Sequence, residues 1–201
     1  TFLICHRGAL GDFVLTWPVL RCLREIFPGY RFLGLGHPKY MRLAIHLGLL
    51  DSCLNIESAR MLDFLSGAVV PSEIDPLHGA VLWLSRGQAV AKLLESMSIP
   101  VVSIKPFPTT DIHIARYYCL AVRQVFPINI PEDLSNGIFQ SKVSGNYVLI
   151  HAGSGSPMKN YAPQLYRELA RELQRWGCSK IGFIIGPVEH ERKLSEEFVG
   201  E

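Results

Sequence analysis

A chain of 201 residues is long enough to bury one large hydrophobic core or two small ones. Its composition, 48% hydrophobic and 19% charged, is that of an ordinary globular protein and excludes a mainly disordered chain. The formal net charge of +2 is too small for the strongly basic surface of a typical nucleic-acid-binding protein. The sequence shows no signal-peptide pattern and no run of about 18 apolar residues, so we expect a cytoplasmic protein with at most peripheral membrane contact.

Cysteine and histidine usage gives no sign of disulfides or metal ligation. The cysteines are odd in number and contain no CxxC pair; they are Cys5, Cys22, Cys53, Cys119 and Cys178. The histidines nearest the chemically interesting segments lack metal-ligand spacing; they are His6, His37, His113 and His151. We therefore expect reduced, mostly buried thiols, no metal site and no cofactor.

The first two thirds of the chain alternate short apolar runs with amphipathic stretches of about ten to fifteen residues. This alternation is typical of βα units and a parallel sheet, and it predicts an α/β fold. The predicted strands are 2–5, 31–35, 53–56, 80–84 and 101–104. The predicted helices are 12–27, 38–47, 88–97 and 111–125.

A polar segment, 127–145, carries Pro, Gly and Asn without clear periodicity and predicts a domain boundary. We place the first Rossmann-like domain at 1–140 and the start of a second at 141–201. The second contains predicted strands 147–150 and 180–185 around a helix, 163–176, that Gly177 ends. Two strands leave apolar faces uncovered, so we expect about a hundred further residues beyond this opening.

The first candidate loop, 7–12, follows a strand and precedes a helix, at the sheet edge where open α/β proteins bind ligands. Gly8 and Gly11 allow a tight turn and close approach of the backbone. Asp12 has two interpretations: an N-cap of the following helix, or a carboxylate in a cleft that acts as a general base. The loop is neither GxGxxG nor a P-loop, which argues against a dinucleotide or Walker-type site.

The second candidate loop, 151–159, also joins a strand to a helix. Ser154, Gly155 and Lys159 supply hydroxyl, backbone N–H and positive charge, which together suit a diphosphate; the alternative is a flexible surface loop with a solvated lysine. Glu189 follows the next strand, either as an acceptor for ribose hydroxyls or as a helix-start carboxylate that is favourable to the helix dipole.

These segments together resemble glycosyltransferase family nine, the ADP-heptose:lipopolysaccharide heptosyltransferases. The opening run is the most specific part, and the resemblance extends over the whole chain except for 58–79. The matching segments are RGALGD at 7–12, the run at 15–23, Phe27-Pro28, HIARYY at 113–118, VLIHAGSG at 148–155, Lys159, YRELA at 166–170 and GPVE at 186–189.

The resemblance implies a GT-B architecture and an inverting, metal-independent transfer of heptose from ADP-heptose to a lipopolysaccharide inner-core acceptor. Asp12 is then the catalytic base, and Ser154, Gly155 and Lys159 bind the leaving diphosphate, with Glu189 also on the donor side. The implied partners are a nucleotide-sugar and a lipid-linked glycan at the cytoplasmic face of the inner membrane.

Two departures from the family pattern leave alternatives open. Tyr161 stands where the family usually has Trp, and the following proline is displaced to Pro163. The later D-x-G-x-x-H segment, which completes the donor site, is absent from these residues. The alternatives are a relative that binds nucleotide or glycan without turnover and a transferase for another nucleotide-sugar. A response-regulator-like or dehydrogenase domain is disfavoured, because the acidic cluster and the GxGxxG are missing.

Overall fold

The structure is a computed structural model that describes residues 1–105, 107–109, 111–134, 147–153, 157–191 and 198. Its contacts divide the chain into two compact units, Thr1–Gln140 and Ser141–Glu201. Among the described residues, no helix is long and apolar enough to cross a membrane.

The first unit is built on a five-stranded, wholly parallel sheet with the order β3-β2-β1-β4-β5. This is the strand order of half a doubly wound fold, and it reverses between β1 and β4. The strands are β1 (Phe2–His6), β2 (Phe32–Gly36), β3 (Ser52–Asn55), β4 (Gly79–Trp83) and β5 (Val101–Ser103).

Helices connect these strands, as parallel pairing requires. All predicted helices of this unit are present within a few residues of their predicted ends, apart from the first. A 3₁₀ turn (Ala59–Met61) and a short helix occupy a stretch for which the sequence predicted no element. The α-helices are α1 (Leu10–Val14), α2 (Trp17–Ile26), α3 (Pro38–His46), α4 (Leu62–Leu65), α5 (Gln88–Ser96) and α6 (Ile114–Arg123).

The sheet is covered on both faces, so its central strands are buried throughout. On β1, Phe2 and Ile4 belong to one hydrophobic cluster together with residues of α2 and α6. Leu3 and Cys5, which point to the other face, belong to a second cluster together with residues of α4 and α5. The alternation follows from the two-residue period of a strand, and it explains why the thiol of Cys5 is fully buried.

The single predicted helix 12–27 is wrong, because the chain forms two helices there. Pro18 has no N–H to bond the carbonyl of Val14, and its ring would clash with that carbonyl in a continuous helix. Thr16 turns the chain instead, with its hydroxyl donating to the carbonyl of Phe13 at 2.7 Å. The N-cap of α1 is Ala9, so the capping interpretation of Asp12 is also wrong; Asp12 is the third helical residue.

The second unit contains two parallel strands, β6 (Tyr147–His151) and β7 (Lys180–Ile184), in the register Tyr147↔Lys180 to His151↔Ile184. The helix α7 (Pro163–Arg175) connects them. It ends as predicted at Gly177, whose φ of 92° places it in the left-handed region that favours glycine. A short helix, α8 (Pro187–Glu191), follows β7.

Candidate functional site

A cavity of about 310 Å³ opens in the first unit at the carboxyl ends of β1 and β4. The strand order reverses between these two strands, which is where doubly wound sheets leave a crevice for ligands. The connection after β1 leads to α2 on one face of the sheet and the connection after β4 leads to α5 on the other face, which leaves a crevice between the two strand ends. The lining residues are His6, Arg7, Gly8, Asp12, Leu15, Trp83, Ser85, Phe107, Ile114 and Tyr118.

Asp12 is an exposed carboxylate on the wall of this cavity. Its position in the first turn of α1 follows from the short 7–9 connection, which starts the helix immediately after β1. Phe13, the next residue, is fully buried and fixes the helix against the sheet. The carboxylate is therefore held on an anchored turn while its oxygens stay accessible, which is the placement a general base requires.

Gly8 brings an imidazole and this carboxylate to the same small space. The ideal Cβ position at Gly8 lies 3.2 Å from Nε2 of His6 and 3.4 Å from Oδ2 of Asp12. The same position lies only 2.8 Å from Cε1 of His6, so any side chain at residue 8 would push the ring away. The requirement for glycine is therefore one of space between His6 and Asp12.

The ring of His6 is neutral at physiological pH. The side chain is 5% exposed and packs on Phe13 with ring centroids 5.3 Å apart. Burial lowers the pKa of His6 to about 4, although the negative charge of Asp12 acts in the opposite direction. The cavity therefore offers one anionic oxygen acceptor and one neutral imidazole side by side.

Two further aromatic residues form a wall of the cavity. Trp83 lies opposite His6 in the β1–β4 register, and its ring meets Tyr118 of α6 edge-on at 5.7 Å. The indole Nε1 of Trp83 is buried and has no hydrogen-bond partner among the described residues. Burial and then the charge of Asp12 raise the pKa of Tyr118, which keeps its phenol protonated.

Gly11, predicted with Gly8 as a loop-forming residue, lies inside α1. A Cβ added there would meet no heavy atom within 4 Å. The packing of the described residues thus needs glycine at position 8 and not at position 11.

In the second unit, Glu189 brings together the segments that follow β6 and β7. Its side chain is 5% exposed, and its Oε2 accepts a hydrogen bond from the backbone N–H of Gly186 at 2.9 Å. The bond runs from the third residue of α8 back to the residue before the helix, as in one half of a capping box. The same carboxylate fills the space that a side chain at Gly153 would need. The geometry matches the helix-start interpretation, and ribose binding by Glu189 stays a prediction.

Lys159 ends a 3₁₀ turn (Pro157–Lys159) ahead of α7, and its side chain is exposed. Ser154 and Gly155 lie outside the described residues. Tyr161, where the family pattern has Trp, is also exposed, and its backbone N–H donates to the hydroxyl of Tyr166 at 3.3 Å. Diphosphate binding by this segment therefore stays a prediction.

Across the residues that the structure describes, no group of three or more His, Cys, Asp or Glu side chains is placed to hold a metal ion. All five cysteines lie in the described residues and are free of disulfides, and Cys22 and Cys119 are buried as expected.

Sequence reasoning found Asp12 and Gly8 but missed most of the cavity. It considered His6 only among the histidines without metal-ligand spacing, and Tyr118 only as part of the matching segment 113–118. Tyr118 is 3% exposed, yet it lines the cavity. The available signal was position, because His6 and Trp83 are the last residues of their strands. That signal becomes useful only once the two strands are known to be neighbours.

No protein-family model and no curated protein sequence matches the chain. Solved structures do match it. A glycosyl transferase family 9 protein from Veillonella parvula has a TM-score of 0.70 at 15% identity, over 100% of this chain and 67% of its own. E. coli heptosyltransferase WaaC with ADP has a TM-score of 0.66 at 15% identity, over 98% and 72%. The same enzyme with ADP-2-deoxy-2-fluoro heptose has a TM-score of 0.69 at 14% identity, over 99% of this chain and 73% of its own. The likeness confirms the predicted fold: the chain is an α/β protein that shares the GT-B type fold of these glycosyltransferases.

Proposed function

We propose that the protein is an inverting, metal-independent glycosyltransferase that moves heptose from ADP-heptose to a lipopolysaccharide inner-core acceptor. The observation that carries the proposal is Asp12, an accessible carboxylate on an anchored turn in the cavity at the strand-order reversal. The fold shared with heptosyltransferase WaaC, which was solved with ADP and with an ADP-heptose analogue, supports a nucleotide-sugar donor.

In this proposal Asp12 accepts the proton of the acceptor hydroxyl as its oxygen attacks C1 of the donor sugar. The bond between C1 and the diphosphate oxygen breaks, and its electron pair leaves with ADP. Lys159 and the backbone N–H groups of Ser154 and Gly155 stabilise the charge on the leaving diphosphate, and Glu189 contacts the ribose. The protein acts in the cytoplasm, at most peripherally bound to the inner membrane, because its acceptor is lipid-linked.

The test is transfer from ADP-heptose to a deacylated inner-core oligosaccharide, followed by product mass, in EDTA and with ADP, UDP and GDP as competitors. Wild type should transfer in EDTA and be inhibited best by ADP. Asp12→Asn should lower kcat by about 10²–10⁴-fold without changing donor affinity, because a base acts on the acceptor. The matched control is Asp63→Asn, another exposed aspartate in the first turn of a short helix, which should leave transfer unchanged.

Lys159→Ala should weaken donor binding by about tenfold, the usual effect of losing one charged hydrogen bond, and should slow turnover as well. Lys180→Ala, an exposed lysine at the start of β7, is its control. Asp12→Asn activity within tenfold of wild type would remove Asp12 from the role of base. Donor binding by wild type without transfer would support the alternative of a relative without turnover, and preference for another nucleotide would change the donor.

A further inference from the structure

The space left by the missing side chain of Gly8 is bounded by two groups of different chemistry. Nε2 of His6 lies 3.2 Å from the ideal Cβ position of Gly8, and Oδ2 of Asp12 lies 3.4 Å from it. Both side chains line the same cavity. The two atoms therefore lie close to one another on the wall of one cavity, where a single ligand atom that approaches this wall can contact both.

A hydroxyl group fits these two neighbours better than other simple groups do. It donates one hydrogen bond and accepts others, so it can give its proton to the carboxylate and take an N–H from a neutral imidazole. A phosphate would be repelled by Asp12, whereas a hydroxyl suits both neighbours when His6 carries its hydrogen on Nε2. The titratable groups that line this cavity together with His6 are Arg7, Asp12 and Tyr118.

We propose that His6 contacts the acceptor hydroxyl, with Nε2–H donating to the same oxygen whose proton passes to Asp12. The inference rests on the proposed glycosyl transfer and adds a second residue to the acceptor side of that reaction. His6 keeps its proton throughout; the hydroxyl proton goes to Asp12, the new bond forms between that oxygen and C1, and ADP leaves with the electron pair. The imidazole fixes the direction of the hydroxyl, so that its O–H points at the carboxylate.

Packing makes His6 suited to this role. β1 holds its backbone and Phe13 supports one face of its ring. Its pKa near 4 keeps the ring uncharged, so it neither repels a cationic transition state at C1 nor neutralises Asp12 through a tight ion pair. A residue that served packing alone would be replaceable by an aromatic ring of similar size.

The experiment therefore compares His6→Phe, which keeps a ring against Phe13, with His6→Gln, whose amide nitrogen reaches about as far as Nε2. His6→Phe should lower kcat/KM for the deacylated inner-core oligosaccharide by about 10- to 100-fold and leave ADP-heptose affinity unchanged. His6→Gln should recover at least part of that loss. His46→Gln, an exposed histidine at the end of α3, is the control and should match wild type.

A second readout does not depend on turnover. In the ¹⁵N-histidine-labelled protein, Nε2 of His6 should carry the hydrogen of a neutral ring at pH 7, and its resonance should move on addition of the oligosaccharide alone but not of ADP alone. Two results would overturn the inference and leave the proposed function standing. In the first, wild type transfers heptose but its His6 resonance does not move; in the second, wild type transfers heptose and kcat/KM of His6→Phe is within threefold of it. If the His6 resonance moves but wild type shows no transfer, the contact between His6 and the oligosaccharide is supported and the proposed function is overturned.

Discussion

The two units begin with the same local arrangement of strand and loop, but their strands are buried to different extents. In each unit, a glycine lies two residues after the end of the first strand and packs against a polar, titratable side chain. Gly8 packs against His6 in the first unit, and Gly153 packs against Glu189 in the second. In the first unit β1 has a neighbour on each side and no exposed residue. In the second, the described part of the sheet has two strands, and Leu149 of β6 is 64% exposed.

The difference shows that a βα unit specifies its own helix and strand but not its own core. Hydrophobic stabilisation scales with the apolar area removed from water, and a strand buries both faces only when other elements cover them. α7 has a clear amphipathic pattern, yet none of its described residues is buried. The described part of the second unit is thus well formed in secondary structure and sparse in buried contacts, whereas the first has a packed core on both sides of its sheet.

Truncation of one leucine in each sheet tests this comparison most directly. Leu33→Ala in β2, where the side chain is 2% exposed, should lower the free energy of unfolding by about 2–5 kcal/mol, since it removes buried methyl groups and leaves a cavity. Leu149→Ala in β6 should cost about 0.5 kcal/mol or less. Urea denaturation of both variants provides the measurement, and equal losses would mean that the exposed face of β6 is buried in solution.

A pH series probes the buried imidazole of the first unit. The pKa of His6 is lowered from 6.5 in the unfolded chain to about 4 in the folded one, so the unfolded state binds more protons between these values. Burial of the neutral ring therefore does not lower the free energy of unfolding above pH 6.5. The free energy of unfolding falls by about 3 kcal/mol as the pH drops from 6.5 to 4. Urea midpoints at each pH should show a flatter slope for His6→Gln than for wild type.

The control for this series is His151→Gln at the end of β6, an exposed side chain in the second unit. Because this imidazole is exposed, comparison of the two variants isolates the effect of burial at position 6. A slope for His6→Gln that is identical to wild type would show that His6 is solvated and not buried in the folded protein.

Alanine at the glycines compares the two loops. Gly8→Ala should destabilise by about 1–3 kcal/mol, because its methyl group meets the packed ring of His6 at 2.8 Å. Gly153→Ala should cost about 1 kcal/mol, since the Glu189 carboxylate can move but gives up its bond to Gly186.

Gly11→Ala serves as the control for both loops, because it lies in a helix with free space around it. It should be neutral or stabilising by up to about 1 kcal/mol. Thermal melting of the three variants provides the ranking, and a Gly11→Ala that melts below Gly8→Ala would contradict the packing argument.

Ion pairs should show small effects. Asp51 accepts hydrogen bonds from the N–H of Phe32 and from the guanidinium of Arg24, each at 2.6 Å, so Asp51→Asn should cost about 1 kcal/mol. The exposed pair of Arg175 and Glu172 on α7 should contribute about 0.3–0.5 kcal/mol, lost in Glu172→Gln. Thermal melting in low and high salt separates the two contributions, because salt screens the attraction of the exposed pair more strongly. A larger loss for Glu172→Gln than for Asp51→Asn would reverse the ranking.

The sequence alone predicted the strands and most helices of both units to within a few residues, although the prediction missed the break between α1 and α2 and the short elements at 59–65. Apolar runs of three to five residues gave the strands, and Gly177 marked the end of α7, because these features depend on neighbouring residues only. The break between α1 and α2 was also local, since Pro18 forbids a continuous helix whatever the rest of the chain does. Asp12 and Gly8 were identifiable from a short motif for the same reason.

Only the tertiary structure decided which strand ends lie together. His6 and Trp83 are 77 residues apart, and they become neighbours because β4 pairs with β1 across the strand-order reversal. Local periodicity carries no information about that pairing, which depends on how helices cover both faces of the sheet. The aromatic wall of Trp83 and Tyr118 beside His6 follows from this pairing, whereas the space beside Gly8 is bounded by His6 and Asp12 of the same local segment. The motif thus specified a carboxylate, and the sheet supplied the cavity around it.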